Sequence, residues 1–475
     1  MALQNPSMYA ETRQRAQWGT LYFAANQTRY NGTQGDEDRS LYFASKFSIE
    51  DDALKFVLND WVPAIDASTN LAAKIITEGN EISPDYMGVL SASTLQAFAS
   101  MELTVPSATK TIQDPKLFIK DMAIEEDGSS MPGVFSSVNS LYSIMPMLVY
   151  TNPRLGNYDL STLLEYARFF NQSFAAHDVG LRYGESVVHP NQWGSPTDST
   201  ASVIIMAYAF MRYTGDALWA ATHYDTLKTW ADCLEDNALF HSTQVTGDWF
   251  VGDAAGPAAN MTNVALKGLI ALRSMVEIQN PLIDRSSESS KCLNAANSGL
   301  EQWIRLSDYG TKFTYQSNAK NHLLHALYAD KLLGLNFVPE SVHERQRIQL
   351  TSSMKRYGVP LTDQNNFATI AHQYFTIAAL TASNSSFLGN STFRAIKNYT
   401  EALINPNLTA LVDTYDATTG VAAAGSAARG SVGGVFAILA LRKGEVKTIQ
   451  PIGTSSANSA GKMDELWLYT RSYMH

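Results

Sequence analysis

"SPTDSTASVIIMAYAFMRYTGDALWAATHYDTLKTWADCLE", residues 195–235, sets two helical patterns side by side. The first, "SVIIMAYAFM" (202–211), is apolar almost all round and suits a helix covered on every side. The second (217–235) lines Leu218, Trp219, Tyr224, Leu227, Trp230 and Leu234 along one side, as a helix with a single covered stripe does. "VGGVFAILAL" (432–441) repeats the first pattern. Fully buried inner helices alternating with one-faced outer helices are what a double-layered helical toroid requires. Further helical stretches are expected at 86–101, 157–175, 261–278, 286–306, 319–334, 340–355, 366–382 and 391–404. Around a dozen helices fits six hairpins, and no short repeat period argues for a solenoid instead.

Outward from this core the pattern changes. "GTLYFAANQT" and "RSLYFASKFS", within residues 17–48, read as strands separated by the turn "NGTQGDED". "IEDDALKFVLNDWVPAIDASTNLAAKIITEG" (49–79) reads as helix, with acids at its start and Pro63 inside. The expected fold is therefore mainly α, a six-hairpin toroid with a short N-terminal β segment. Its parts are a β segment over 1–48, the toroid over 49–443 and a polar, Ser/Gly-rich tail over 444–475.

Composition narrows the class. The chain has 475 residues, 45% hydrophobic and 17% charged, which supports a large core and excludes wholesale disorder. A net charge of -10 with no basic stripe argues against nucleic acid. No apolar run is long enough to cross a membrane. Cys233 and Cys292 fit either one disulfide or two buried thiols. Eight N-x-[S/T] sequons, at Asn26, Asn31, Asn171, Asn260, Asn384, Asn390, Asn398 and Asn407, point to a glycosylated, secreted protein. The opening "MALQNPSMYAETRQRAQ" lacks the apolar run of a signal peptide, so the expectation is a secretory protein with a trimmed N-terminus.

No nucleotide-binding glycine loop, G-x-S-x-G, H-E-x-x-H or zinc-type cysteine spacing occurs, so neither cofactor nor metal is expected. "TGDWFVGDAAGP" places Asp248 and Asp253 beside Trp249 and Phe250, which suits a polar ligand or a packed loop equally. His177 and Asp178 are neighbours in "AAHDVGLRY"; adjacent side chains rarely share a direction, so a turn-forming aspartate is expected. His322 and His325 are read as helix surface. Arg429, before a Gly-rich helix start, fits a carboxylate ligand or a structural acid. Ser195, Pro196 and Asp198 read as N-cap, first position and third position of a helix, a capping box with Asp for the usual Glu. On pattern alone Asp198 is a cap.

The blocks "FAAHDVGLRY", "SPTDSTASVIIMAYAFMRYTGD", "LKTWADCL", "TNVALKGLIALRSMVEI", "LYADKLLGLNFVPESVHERQ", "RYGVPL", "DTYDATTG" and "AARGSVGGVFAIL" come in the order and spacing of the fungal and bacterial glutaminase A family. The resemblance spans roughly residues 17–442 and implies an (α/α)6 toroid preceded by a β-sandwich, of which 17–48 looks like the end. It also implies hydrolysis of glutamine to glutamate. Relatives read M-P-V-E-E-S where this chain reads "SPTDST", so the resemblance turns Asp198 into one of an acidic pair and puts Ser199 at the other place. Their T-D-D-F becomes "GDWF", keeping Asp248 and placing Trp249 at the second acid. Their K-S-D-W-E becomes "TIAHQ", with Ala371 and Gln373 for the acids, and their A-R-P-V-V-G-G-H-F becomes "ARGSVGGVF", with Val435 for His.

By this resemblance Asp198 and Asp248 share the acid–base work on a small-molecule amide. Arg429 or Lys267 grips its carboxylate, and Trp193, Trp249, His177, Asp178 and Asn263 line the site. Two other readings stay open. One is a toroid repurposed for a larger, less polar ligand, as a lyase, cyclase or non-catalytic binder; the other is a glycoside hydrolase using two carboxylates.

Overall fold

The computed structural model describes residues 28–32, 35–124, 130–170, 173–179, 196–239, 261–282, 285–309, 312–313, 323–362, 366–381, 386–402, 404, 410–423 and 425–452. Helices α1 (Glu50–Asn59) and α2 (Trp61–Ile82) come first. The break at Asp60 puts Pro63 in the first turn of α2, where its missing N–H costs nothing. From there outer and inner helices alternate. They run α3 (Pro84–Ala99, outer), α4 (Val138–Thr151, inner), α5 (Pro153–Phe170, outer) and α6 (Pro196–Thr214, inner). Next come α7 with α8 (Ala217–Thr222, Tyr224–Asn237, outer), α9 (Thr262–Gln279, inner), α10 (Ser286–Ser307, outer) and α11 (Leu327–Leu332, inner). The ring ends with α12 (Glu340–Ser352, outer), α13 (Ile370–Thr381, inner), α14 (Ser386–Glu401, outer) and the inner 3-10 segment Gly430–Phe436 leading into α15 (Ala437–Lys443).

The inner helices close a ring. α4 packs on α6, α6 on α9, α9 on α11, α11 on α13, α13 on the 3-10 segment, and that segment returns to α4. Glycine permits the last closure. A Cβ on Gly434 would lie 2.5 Å from the Cβ of Ala371, and one on Gly433 would lie 2.6 Å from Ile144. Burial follows the sequence pattern: Val203 to Phe210 of α6 are inaccessible or nearly so, whereas α8 buries only Tyr224, Leu227, Trp230, Ala231 and Leu234. The fold is the six-hairpin helical toroid.

One inner helix and three strands of the main sheet were not legible in the sequence. α4 carries Pro146 at its centre, which reads as a breaker. Cover on every side and a cap from the Ser137 hydroxyl to the Ser140 N–H hold it as helix nonetheless. A five-stranded antiparallel sheet runs in the order β1 (Thr28–Gly32), β2 (Gly35–Leu41), β3 (Met101–Pro106), β4 (Lys116–Ile124) and β5 (Ser130–Phe135). Residues expected as the turn "NGTQGDED" are mostly strand, with Asp36 to Asp38 paired to Asn31 to Arg29. Leu103, Val105 and Leu117 form a small second core with Tyr42 under this sheet.

Connections are short at one end of the ring and long at the other. Asn152 alone separates α4 from α5, and two residues separate α6 from α7. Every inner helix after α4 is entered through a long connection, and the inner N-termini gather at one mouth. At the opposite end the chain after α15 crosses the ring: Lys447 N–H donates to Arg212 O at 3.0 Å and Ile452 N–H to Pro281 O at 3.0 Å. Cys233 and Cys292 are separate thiols, and burial, with Glu235 beside it, pushes Cys292 up to about 12. No helix among the described residues is long and apolar enough to cross a membrane.

Candidate functional site at the mouth of the toroid

Pro196 opens α6 and Asp198 falls in its first turn, where unpaired N–H groups favour a carboxylate. Ser195, the expected cap, lies outside the described residues. The Asp198 side chain also reaches a neighbouring inner helix. It is buried, and its Oδ1 accepts from the Lys267 ammonium at 2.8 Å. Lys267 is the one charge in the inward "VALKGLIAL" of α9, and its Nζ also sits 3.8 Å from the centroid of the Tyr142 ring on α4. Three adjacent inner helices thus clamp one ammonium between a carboxylate and a π-face. Burial, and then the Asp198 charge, pushes the Tyr142 phenol far up, so it stays a neutral hydroxyl. Neither the Tyr142 hydroxyl nor the Ser199 hydroxyl has a hydrogen-bond partner among the described residues.

One turn before Lys267, Asn263 fixes a second group. Its Oδ1 accepts from the Ala326 N–H at 3.1 Å, which turns its Nδ2 toward His325 Nε2 at 2.7 Å. His325 Nε2 is then the acceptor, and the ring proton resides on Nδ1. His325 is buried and precedes α11, so the surface reading fails for it; His322 lies outside the described residues. Its ring stacks on His372 of α13 at 3.7 Å and 5°. A proton on either ring would set a cation against the other.

His177 and Asp178 do point at one another, against expectation, with Nδ1 and Oδ2 3.0 Å apart. The turn that carries them is sewn to the start of α4: Val138 N–H donates to His177 O at 2.8 Å and Val179 N–H to Phe135 O at 3.1 Å. This seam overrides the usual divergence of neighbours and sets His177 Nε2 3.4 Å from Asn139 Nδ2.

Arg429 takes the second of its two expected roles. Its Nε and Nη2 grip both oxygens of Asp121 at 2.7 and 2.8 Å, Nη2 reaches Ser140 Oγ at 3.3 Å, and Nη1 lies 3.3 Å from Asp413. This clasp ties β4, α4 and the last inner segment together. Burial pushes Asp121 up, but the guanidinium and its hydrogen bonds outweigh that and leave it lowered. Asp413 stays raised, because burial exceeds what it draws from Arg429 and the Ser431 hydroxyl.

Asp248, Trp249, Asp253 and Trp193 lie outside the described residues. The positions where acids were expected serve packing. Ala371 is the residue Gly434 approaches, and Gln373 accepts from Val359 N–H at 2.8 Å while donating to Thr369 O and the Tyr415 hydroxyl. Sequence reading missed Tyr142, Asp121, Asp413 and the inward roles of His325 and His372. A lone lysine on an all-buried helix was the available sign, since such a charge must find a partner.

The model of the glutaminase A six helical-hairpin domain matches residues 83–439, the whole ring and mouth described above. The chain belongs to this family. Glutaminase A of Aspergillus oryzae is 29% identical over 410 residues, covering 84% of this chain and 56% of that protein. A probable glutaminase of Arthroderma benhamiae is 22% identical over 450 residues, covering 76% of this chain and 50% of that one. The chain thus spans about half the length of these curated relatives. A solved D-mannose isomerase aligns with TM-score 0.46 and 11% identity over 77% of this chain and 97% of that structure.

Proposed function

We propose that this glutaminase A-family toroid hydrolyses a small amide at the mouth, with glutamine the first substrate to test. The buried Asp198–Lys267 pair against Tyr142, where three inner helices begin, is the observation that carries the reading. Amide hydrolysis needs a base to take a proton from water and a cation to receive the charge that grows on the carbonyl oxygen. Asp198 supplies the first and Lys267 the second. Asp248 is the proposed second acid, protonating the leaving nitrogen, so that amide and water give carboxylic acid and ammonia. His177, Asp178, Asn263, Trp193 and Trp249 line the substrate in this scheme, and Arg429 positions the wall. The test is ammonia release from glutamine by the purified protein. Asp198→Asn lowers it about 10²–10⁴-fold with the helical circular dichroism spectrum kept. Silence across a panel of amides ends this reading.

A specific observation supports the second reading, a toroid turned to a larger and less polar ligand. Ala371 and Gln373 are occupied with packing and structural hydrogen bonds, and His325, His372, Phe375 and Tyr328 form a continuous run of ring contacts. Ligand-induced thermal shifts from planar apolar compounds, with none from glutamine, would favour it. We further infer a secretory route from the eight sequons. Asn390 and Asn398 stand exposed on outer helix α14, and expression in a secreting host followed by glycosidase digestion reads their occupancy.

A further inference from the structure

Outside the Asp198 cluster, one buried carboxyl of the toroid has neither an ion pair nor a backbone N–H on its second oxygen among the described residues. Asp159, on α5, is fully inaccessible. Its Oδ2 accepts from the Ser136 hydroxyl at 3.2 Å, and its Oδ1 has no partner among the described residues. Titratable groups on the elements packed against α5 have partners other than Asp159; His223, just before α8, lies 3.5 Å from Ser161 Oγ. On β4, Lys116 pairs with Asp114 and Glu165, Lys120 with Glu102, and Asp121 with Arg429. Tyr142 of α4 and Asp198 of α6 both face Lys267, and Tyr224 of α8 is bonded to Glu288. Among the described side chains none of these acts on Asp159; burial, the Ser136 hydroxyl and the Ile119 backbone do, and burial dominates, pushing it up to about 8.

Ser136 is a junction. It holds a left-handed backbone (φ 48°), its N–H donates to Ile119 O at 2.7 Å, and it stands between Phe135 and Ser137. Phe135 receives the Val179 N–H, Ser137 caps α4, and Val138 binds His177 O. A non-glycine residue in this conformation persists only where its surroundings hold it. We propose that Asp159 is a pH-responsive anchor: in its neutral form it holds Ser136, and through Ser136 the seam that carries His177 and Asn139, and its ionisation loosens that seam. Either form can accept from Ser136, but the ionised one is a lone buried charge, whose cost is relieved only by admitting water and parting the packing around Ser136. The inference stands whichever reaction the mouth performs.

The unfolded carboxyl titrates near ~3.9, so the folded state holds this proton more tightly. Stability from this group is complete below about pH 4 and falls until about pH 8. The experiment compares the full chain with Asp159→Asn by urea unfolding across that range. The wild-type unfolding constant rises relative to the variant by about tenfold per pH unit; parallel curves would overturn the proposal. Should Asp159→Asn not fold, Asp159→Leu, which carries no titratable group, takes its place; Ser136→Gly, which suits the left-handed backbone but lacks the hydroxyl and keeps Asp159, tests the link to the seam. The second readout is the His177 ring resonance in histidine-labelled protein, assigned by its loss in His177→Gln. Wild type shows an inflection at about pH 8 that the Asp159 variant and Ser136→Gly both lack. An inflection that survives in Ser136→Gly refutes the coupling through Ser136, and a wild type without one refutes the anchor.

Discussion

Lys267→Met tests the clamp at the mouth. The substitution nearly matches the stem and removes the ammonium, stranding Asp198 with its side chain only 6% exposed. Removing one partner of a buried pair costs about 3–5 kcal/mol, since the remaining charge has lost both water and counter-ion. Asp198→Asn strands the ammonium instead, yet the ammonium keeps the Tyr142 face 3.8 Å away, worth about 1–2 kcal/mol. Asp198→Asn therefore costs less than Lys267→Met by about that amount. The double variant leaves a neutral amide, a thioether and no buried charge, so its cost is that of the lost polar contact, about 1–3 kcal/mol. The expected order of destabilisation is Lys267→Met, then Asp198→Asn, with the double variant well below their sum. Urea unfolding followed by far-ultraviolet circular dichroism measures all three at one pH. Additive single effects would show that the two groups are not coupled. An Asp198→Asn variant as damaged as Lys267→Met would show that the Tyr142 face contributes nothing.

Three further outcomes follow from the same geometry. Arg429→Lys replaces a fork on both Asp121 oxygens with one point charge, and thermal unfolding should register a loss of about 2–3 kcal/mol. Gly434→Ala drives a methyl to 2.5 Å from the Ala371 Cβ and costs about 1–3 kcal/mol in the same assay, and adding Ala371→Gly recovers part of it. Gln373→Glu turns an acceptor toward Thr369 O and costs about 1–3 kcal/mol at neutral pH. Carbonyl repulsion raises the folded titration point of the new acid, so urea midpoints should converge on wild type as pH falls below about 4.

The ring was legible because its physics is local. A helix that meets protein on every side must be apolar all round, and "SVIIMAYAFM" shows that in ten letters. α4 escaped because Pro146 is penalised by local rules, while the contacts that hold its helix come from α6, α15 and the 3-10 segment, far along the chain. The strands β3 and β4 escaped for a related reason. The strand "MELTVP" lies between β2, three α-helices back along the chain, and β4, reached only after residues 107–115.

The site was half legible, and the missing half was pairing. Pattern assigned Asp198 to a helix start, and that is where it stands; nothing within four residues reveals that its oxygen is claimed by a lysine 69 positions away. Arg429 and Lys267 looked alike as cations before or within buried helices. The fold separates them by counting carboxylates. Among the described residues Arg429 meets Asp121 and Asp413, in a clasp that joins sheet to ring, whereas Lys267 meets Asp198 and an aromatic face. A cation held between one carboxylate and a ring can lend its charge to a reacting group without abandoning a structural joint; a guanidinium locked between two carboxylates cannot. That asymmetry is the ground for proposing chemistry at Lys267 and architecture at Arg429. Under the proposed hydrolysis, Lys267→Met should therefore lower turnover of any amide accepted by far more than Arg429→Lys does, once both are compared as folded protein.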